Sequence, residues 1–239
     1  MPALTHFVAP PEESIKSQIL QMVVDYLSDI SAVGIPPSNP LYNLYQYGIG
    51  FEVHRYLDAM SGDGELKVEL VVACDVDDPD TVIGFLLYRP LQDDPEACTV
   101  AYLAVHSQHR RQGVARALLQ QMTARYPHAE LACAASKVAC FEALGFQVIG
   151  ARGPQVLMNT RDHASDGRVA VLDVAPIYRT LEVQQIHSYL LKQHGKRAMV
   201  DAEKQRDRHL DQLQRKAQAL VLERLGEGPW QPGTAMRLV

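Results

Sequence analysis

Apolar and polar positions along the first 160 residues follow two periods, and the switches between them mark the elements. "LTHFVAP" alternates and predicts a short strand. "PEESIKSQILQMVVDYLSDI" then repeats at helical spacing, with Ile15, Ile19, Met22, Val23, Tyr26, Leu27 and Ile30 on one face. "GIPPSNP" stops that helix. The Tyr-rich "LYNLYQYGIGFEVHRYLDAM" predicts one broken helix or two short ones around Gly48 and Gly50, followed by a turn at "SGDGE". "ELKVELVVACDV" and "TVIGFLLYRP", joined by "DDPD", read as an antiparallel hairpin. "ACTVAYLAVH" is a third strand, apolar at nearly every position and so expected to be buried on both faces.

A helix over residues 113–126 follows, with Val114, Ala117, Leu118, Gln121 and Met122 on one stripe, and Pro127 ends it. "AELACAA" is then a strand, "SKVACFEAL" a short helix closed by Gly145, and "FQVIG" and "PQVLMNT" two more strands. After residue 160 the character changes. A loop with a turn at Asp166 and Gly167 leads to one extra strand over residues 169–174. Residues 180–225 are charge-dense and helix-prone with a break at Gly195, and "GEGPWQPG" predicts a flexible tail. The expected organisation is a domain over residues 1–160, a connection with the extra strand over 161–179, and a helical appendage with tail over 180–239.

Composition narrows the classes. The 239 residues are 47% hydrophobic and 21% charged, an ordinary globular mixture that can bury a sizeable core. A net charge of -5 argues against general nucleic-acid binding. No apolar stretch is long enough to span a bilayer, and the opening residues do not read as a signal peptide. Cys74, Cys98, Cys133 and Cys140 show no metal or redox spacing, so we expect reduced thiols in a cytoplasmic protein and no metal site.

The most informative stretch is "AVHSQHRRQGVARALLQQM". A strand there runs into a loop and then into a helix start, where free amides, the positive end of the helix dipole and a glycine together favour an anion. Arg110, Arg111, Gln112, Gly113, Val114 and Ala115 surround that point, with Arg116 one turn further. The expected ligand is a pyrophosphate.

Those six residues resemble the acyl-CoA loop of the GCN5-related N-acetyltransferases, in which Arg or Gln is followed by two residues, Gly, one residue, and Gly or Ala. "LAVH" before the loop and "KVACFEALGF" after it are similar to further motifs of that family. The resemblance covers roughly residues 4–160, and it implies an α/β fold with a mixed, mostly antiparallel sheet flanked by helices and splayed at the acyl-CoA site. It also implies acetyl-CoA or another acyl-CoA as co-substrate, with Leu103, Ala104 and Val105 against pantetheine and thioester and residues 110–116 at the pyrophosphate. The implied reaction is direct attack of an amine on the thioester, the acceptor itself being unknown.

Acyl transfer needs a deprotonated amine, an oxyanion contact and a proton for the departing thiolate. The family tyrosine that often supplies that proton aligns with Phe141, which the resemblance places beside the cofactor but which cannot donate a proton. Candidate substitutes are Tyr102, Ser136 and Cys140. The glutamate that often precedes "LAV" is absent too, leaving Glu52 and His54 as candidate bases. Tyr42, Tyr45, Tyr47, Phe51 and Tyr56 suggest an aromatic acceptor wall, or a surface for a protein.

In the appendage, Leu181, Val183, Ile186, Tyr189, Leu190 and Leu191 form one apolar set, and Leu210, Leu213, Ala217, Leu220 and Leu225 form another. Such helices suit docking on the domain, a homodimer or a protein partner. The alternative to an enzyme is therefore a protein-binding module of the same fold that keeps or has lost CoA.

Overall fold

The computed structural model describes residues 2–62, 64 and 66–239. Asp63 and Glu65 of the expected "SGDGE" turn lie outside the described residues.

Seven strands form one sheet in the order β1-β2-β3-β4-β5-β7-β6, and β8 pairs β9 in a separate two-stranded sheet. In the large sheet, β1 (Ala3–Phe7), β2 (Glu69–Cys74), β3 (Val82–Pro90) and β4 (Ala97–Val105) are antiparallel neighbours, β4 runs parallel to β5 (His128–Cys133), and β6 (Gln147–Arg152) and β7 (Gln155–Asn159) close the far edge. The expected mixed, mostly antiparallel fold is present. Helices α1 (Glu13–Asp25) and α3 (Tyr42–Ala59) cover one face through Ile19, Val23, Val53, Leu57, Phe85 and Leu87. The other face packs on α4 (Val114–Thr123) and α5 (Val138–Glu142) through Leu118, Met122, Leu131, Val138 and Met158. Each fully buried side chain of this size stabilises the fold by roughly 1.5–3 kcal/mol.

Two details of the helical face differ from the sequence pattern. The first helix breaks at Tyr26, whose φ and ψ of -110° and 22° separate α1 from the four-residue α2 (Leu27–Ile30). Conversely α3 runs unbroken through Gly48 and Gly50. Gly48 serves packing there: a Cβ would meet the Tyr178 hydroxyl at 2.8 Å.

The part of the fold that positions the site is β4. It carries one extra residue opposite β3, since Leu87 faces Tyr102 while Tyr88 faces Val100. The bulge switches the alternation, so Tyr102 and Ala104 join the cluster beneath α3 while Val100, Leu103 and Val105 join the α4 side. Pairing with β5 is confined to three positions, the last being Thr99 with Glu130. Above it the strands separate, which explains why the upper half of β4 is half-buried and not sealed on both faces as expected.

The C-terminal third is docked on the domain. β8 (Arg168–Val171) supplies the extra strand, and α6 (Leu181–Leu225) kinks at Gly195, where φ is 80° and ψ is 157°. Its first half buries Leu190, Met199 and Ala202 against Leu27, Ile35 and Leu41, and its second half buries Ala217 and Val221 on the α4 side of the sheet. Residues expected to form a loose tail instead lie along the sheet. The Gln231 amide donates to the Ile149 carbonyl at 3.1 Å, and β9 (Ala235–Leu238) pairs in parallel with β8. The anchor is Glu130, only 2% exposed, which accepts from the Thr234 amide at 3.0 Å and its hydroxyl at 3.2 Å.

Candidate active site

At the top of β4 the chain passes through a short 3-10 turn and enters the loop of residues 110–113. Arg111 and Gly113 both adopt positive φ, 61° and 85°, with Gly113 at the α4 N-cap. A left-handed residue on either side of Gln112, ahead of the helix's free amides, shapes an amide concavity suited to an anion. Arg111 is the one non-glycine residue with positive φ among the described residues, and that strain sits in this loop. A Cβ on Gly113 would meet nothing within 4 Å, so that side of the backbone is open.

The cations of the loop differ in availability. Arg111 is exposed and forms no ion pair among the described residues. Arg110 donates through Nε to the Val105 carbonyl at 3.1 Å and through Nη2 to Asp29 at 3.0 Å, with its guanidinium 4.7 Å above the Tyr26 ring. Arg116 turns to the end of α5 and donates to the Ala143 carbonyl at 3.0 Å, and Gln112 donates to the Gln108 carbonyl at 2.9 Å. Val114 is buried in the core beneath the loop, and Ala115 is half-buried. Leu103, Ala104 and Val105 pair with Leu86, Phe85 and Gly84 on the β3 side. Toward β5 that backbone has no strand partner, so an extended ligand can add there.

The structure brings two candidate catalytic residues together. Glu52 on α3 and Tyr102 on β4 stand close enough that each acts on the other's proton affinity. Burial pushes the Glu52 carboxyl above its ordinary range, against the opposing effects of Tyr102 and of the nearby Arg89. Burial likewise holds the Tyr102 phenol well up, reinforced by Glu52 and Tyr56.

Arg89 escaped the sequence reading. It is only 7% exposed, donates to the Tyr56 hydroxyl at 3.2 Å and to the Ala170 carbonyl at 3.4 Å, and leaves its buried Nε without a partner. A lone arginine ending the apolar run "VIGFLLYRP" was the available signal. Tyr178, which packs over Gly48, also lines a cavity of about 460 Å³ with Leu44, Val183, Gln184, His187 and Ser188.

The remaining candidates stay apart. His54 lies about 200° around α3 from Glu52 and pairs with Asp58 at 3.1 Å. Ser136 and Cys140 are exposed, while Phe141 packs edge-on against Phe146 at 6.0 Å. The aromatic wall is not one surface. Tyr42 and Tyr45 pack with the cluster beneath α6, Tyr47 stacks on Phe51 at 5.8 Å, and Tyr56 is buried beside Arg89. Among the described residues, no group of three or more His, Cys, Asp or Glu side chains is placed to hold a metal ion.

A splayed α/β sheet with an anion loop at the head of the gap defines an acyltransferase-type fold. Residues 67–148, about a third of the chain, match the family model described as the acetyltransferase (GNAT) domain. Comparison with curated proteins finds no match. Among solved structures, PaiA N-acetyltransferase from Thermoplasma acidophilum in complex with coenzyme A is 11% identical, over 66% of this chain and 99% of that one, with a TM-score of 0.50. Aminoglycoside 6'-acetyltransferase type Ii is 15% identical, over 68% of this chain and 99% of that one, with a TM-score of 0.48. Nourseothricin acetyltransferase is 21% identical over 38% of this chain, with a TM-score of 0.35, and the match spans 64% of that protein's length.

Proposed function

We propose that the chain is an acyl-CoA-dependent N-acyltransferase, with acetyl-CoA the favoured donor and an amine of a small molecule or protein as acceptor. The observation that carries this reading is the gap between β4 and β5 above Thr99, headed by a loop in which Arg111 and Gly113 are both left-handed. The donors present fit the co-substrate: amides and the free Arg111 for pyrophosphate, and unpaired β4 backbone for pantetheine. Bound acyl-CoA supplies an activated thioester, and the chain's own residues position the amine and move its protons.

Glu52 takes the proton of the attacking ammonium. Its raised pKa brings a carboxylate closer to the working range of a base near neutral pH. The Tyr102 hydroxyl gives its proton to the departing thiolate and recovers one from the neighbouring Glu52, while the second proton of the original ammonium leaves the new amide nitrogen for solvent, so the pair ends as it began. The cavity beside Tyr178, a side chain near enough to Glu52 to feel its charge, offers the acceptor a route toward that carboxyl. The free cysteines favour a cytoplasmic setting.

A second reading, a binding module of the same fold, draws on Phe141 at the usual acid position and on Leu181 and Tyr189, both more than 60% exposed on α6. That surface suits a protein partner or a second copy of the chain. One experiment separates the two readings: calorimetry with acetyl-CoA on the native chain and on Arg111→Glu and Gly113→Glu, followed by thiol release with a panel of amines. Binding that both variants abolish, with amine-dependent release of CoA, supports the enzyme. A native chain that binds no acetyl-CoA overturns it.

A further inference from the structure

The open end of the β4–β5 gap is braced by one carboxylate. Arg110 stands just beyond the end of β4, and Lys137 stands just beyond the end of β5, in the 3-10 turn that leads into α5. Between the two strands no backbone pair remains above Thr99 and Glu130. Asp29, on the short α2, reaches both sides: its Oδ2 accepts from Arg110 Nη2 at 3.0 Å and its Oδ1 from Lys137 Nζ at 2.9 Å. The same segment is tied to the loop by Tyr26, whose hydroxyl accepts from the Ser107 amide at 2.8 Å and donates to the Ser107 hydroxyl at 3.3 Å.

Two cations converging on the two oxygens of one anion is the arrangement a phosphate would also draw from them. Arg110 has its Nε on Val105, its face on Tyr26 and its Nη2 on Asp29, so it presents no free fork to a phosphate while Asp29 holds it. We infer that Asp29 is an internal stand-in for the phosphates of acyl-CoA: it latches α2 across the mouth of the gap, and ligand entry requires it to surrender Arg110 and Lys137, which then hold the ligand. This rests on the acyl-CoA reading above, and it adds Lys137 to the phosphate-binding residues.

The latch is weak enough to open. Asp29, Arg110 and Lys137 side chains are 40%, 42% and 44% exposed. Exposed pairs of this kind are individually feeble, so their competition should cost the ligand roughly 3- to 10-fold in affinity. The cations hold the Asp29 carboxyl below its ordinary range against the opposing effect of its burial, so it is ionised and competes at neutral pH. Leu27 anchors α2 in the core, so release needs only the exposed Asp29 side chain to change rotamer.

The test is calorimetry with CoA on the full chain, comparing native, Asp29→Asn, Asp29→Asn with Lys137→Gln, and Gly113→Glu, each checked for a cooperative unfolding transition above the assay temperature. The expected result is CoA binding roughly 3- to 10-fold tighter in Asp29→Asn, with the gain lost when Lys137→Gln is added. Binding by Asp29→Asn alone, with none by the native chain, would also support the latch. Equal or weaker binding in Asp29→Asn, with the native chain binding normally, overturns the latch and leaves the acyl-CoA site standing. Unchanged tightening in the double variant removes Lys137 from the ligand set. Absence of binding in both the native chain and Asp29→Asn overturns the acyl-CoA reading itself, and the latch with it.

Discussion

The Glu52 carboxyl on α3 and the Tyr102 hydroxyl on β4 face each other between that helix and the sheet, and each acts on the other's proton affinity. The bulge in β4 makes this possible, because it turns Tyr102 toward α3. Removing the proposed base should be costly: Glu52→Gln is expected to lower kcat by roughly 100- to 10,000-fold. Acetyl-CoA affinity should stay near the native value, so calorimetry alongside steady-state kinetics separates lost chemistry from a lost site. Tyr102→Phe should give a smaller loss of kcat, because a thiolate leaves readily without help near neutral pH.

The pH dependence follows from the same carboxyl. Glu52 must be ionised to act, so the rate should rise with pH through a pKa above the ordinary carboxylate value. Stability runs the other way. A carboxyl whose folded pKa is raised contributes fully below its unfolded pKa, and the contribution is lost as pH rises through the folded one. Arg89 holds this pKa down, so Arg89→Met should move the rising limb of the pH–rate profile to higher pH. A merely structural Arg89 would leave that limb in place.

Gly113 occupies φ 85°, so Gly113→Ala should cost about 1 kcal/mol in urea unfolding through backbone strain alone, with no clash around its Cβ. Acetyl-CoA binding should fall much further than stability.

Glu130 depends on the C-terminal segment, because among the described residues the only donors to its carboxylate are the Thr234 amide and hydroxyl. Deleting residues 229–239 removes both the donors and the cover of this carboxylate and should cost roughly 1–3 kcal/mol. The same deletion in a Glu130→Leu background should cost clearly less. Gly150→Ala should also destabilise the native chain, since its Cβ would clash with the Gln231 carbonyl, and this effect should vanish once the segment is deleted.

Of the four cysteines only Cys140 is exposed. A disulfide reagent should modify one thiol quickly and the other three only on unfolding. Burial favours the neutral thiol at each of the other three, and it pushes the Cys133 thiol up to about 12.

What the sequence determined by itself is local. The order of strands and helices was legible because period two and period 3.6 are properties of neighbouring residues. The loop at residues 110–115 was legible for the same reason: its basic residues and glycine stand next to a strand end and a helix start. Gly48 misled, because a glycine that makes room for Tyr178 looks the same in sequence as one that breaks a helix. Glu52 and Tyr102 could be named as residue types, but their pairing across 50 positions depends on how α3 settles on β4.

Tertiary structure alone decided the rest. It set Arg89 beside Tyr56 and Glu52, laid the last eleven residues over Glu130, and carried Asp29 to Lys137 across 108 positions. Each of these joins charged or polar groups far apart in the chain, and nothing in a local period encodes such contacts. They arise because burying the apolar faces of the sheet and helices fixes where those side chains must stand, and each polar group then takes the partner that packing leaves beside it.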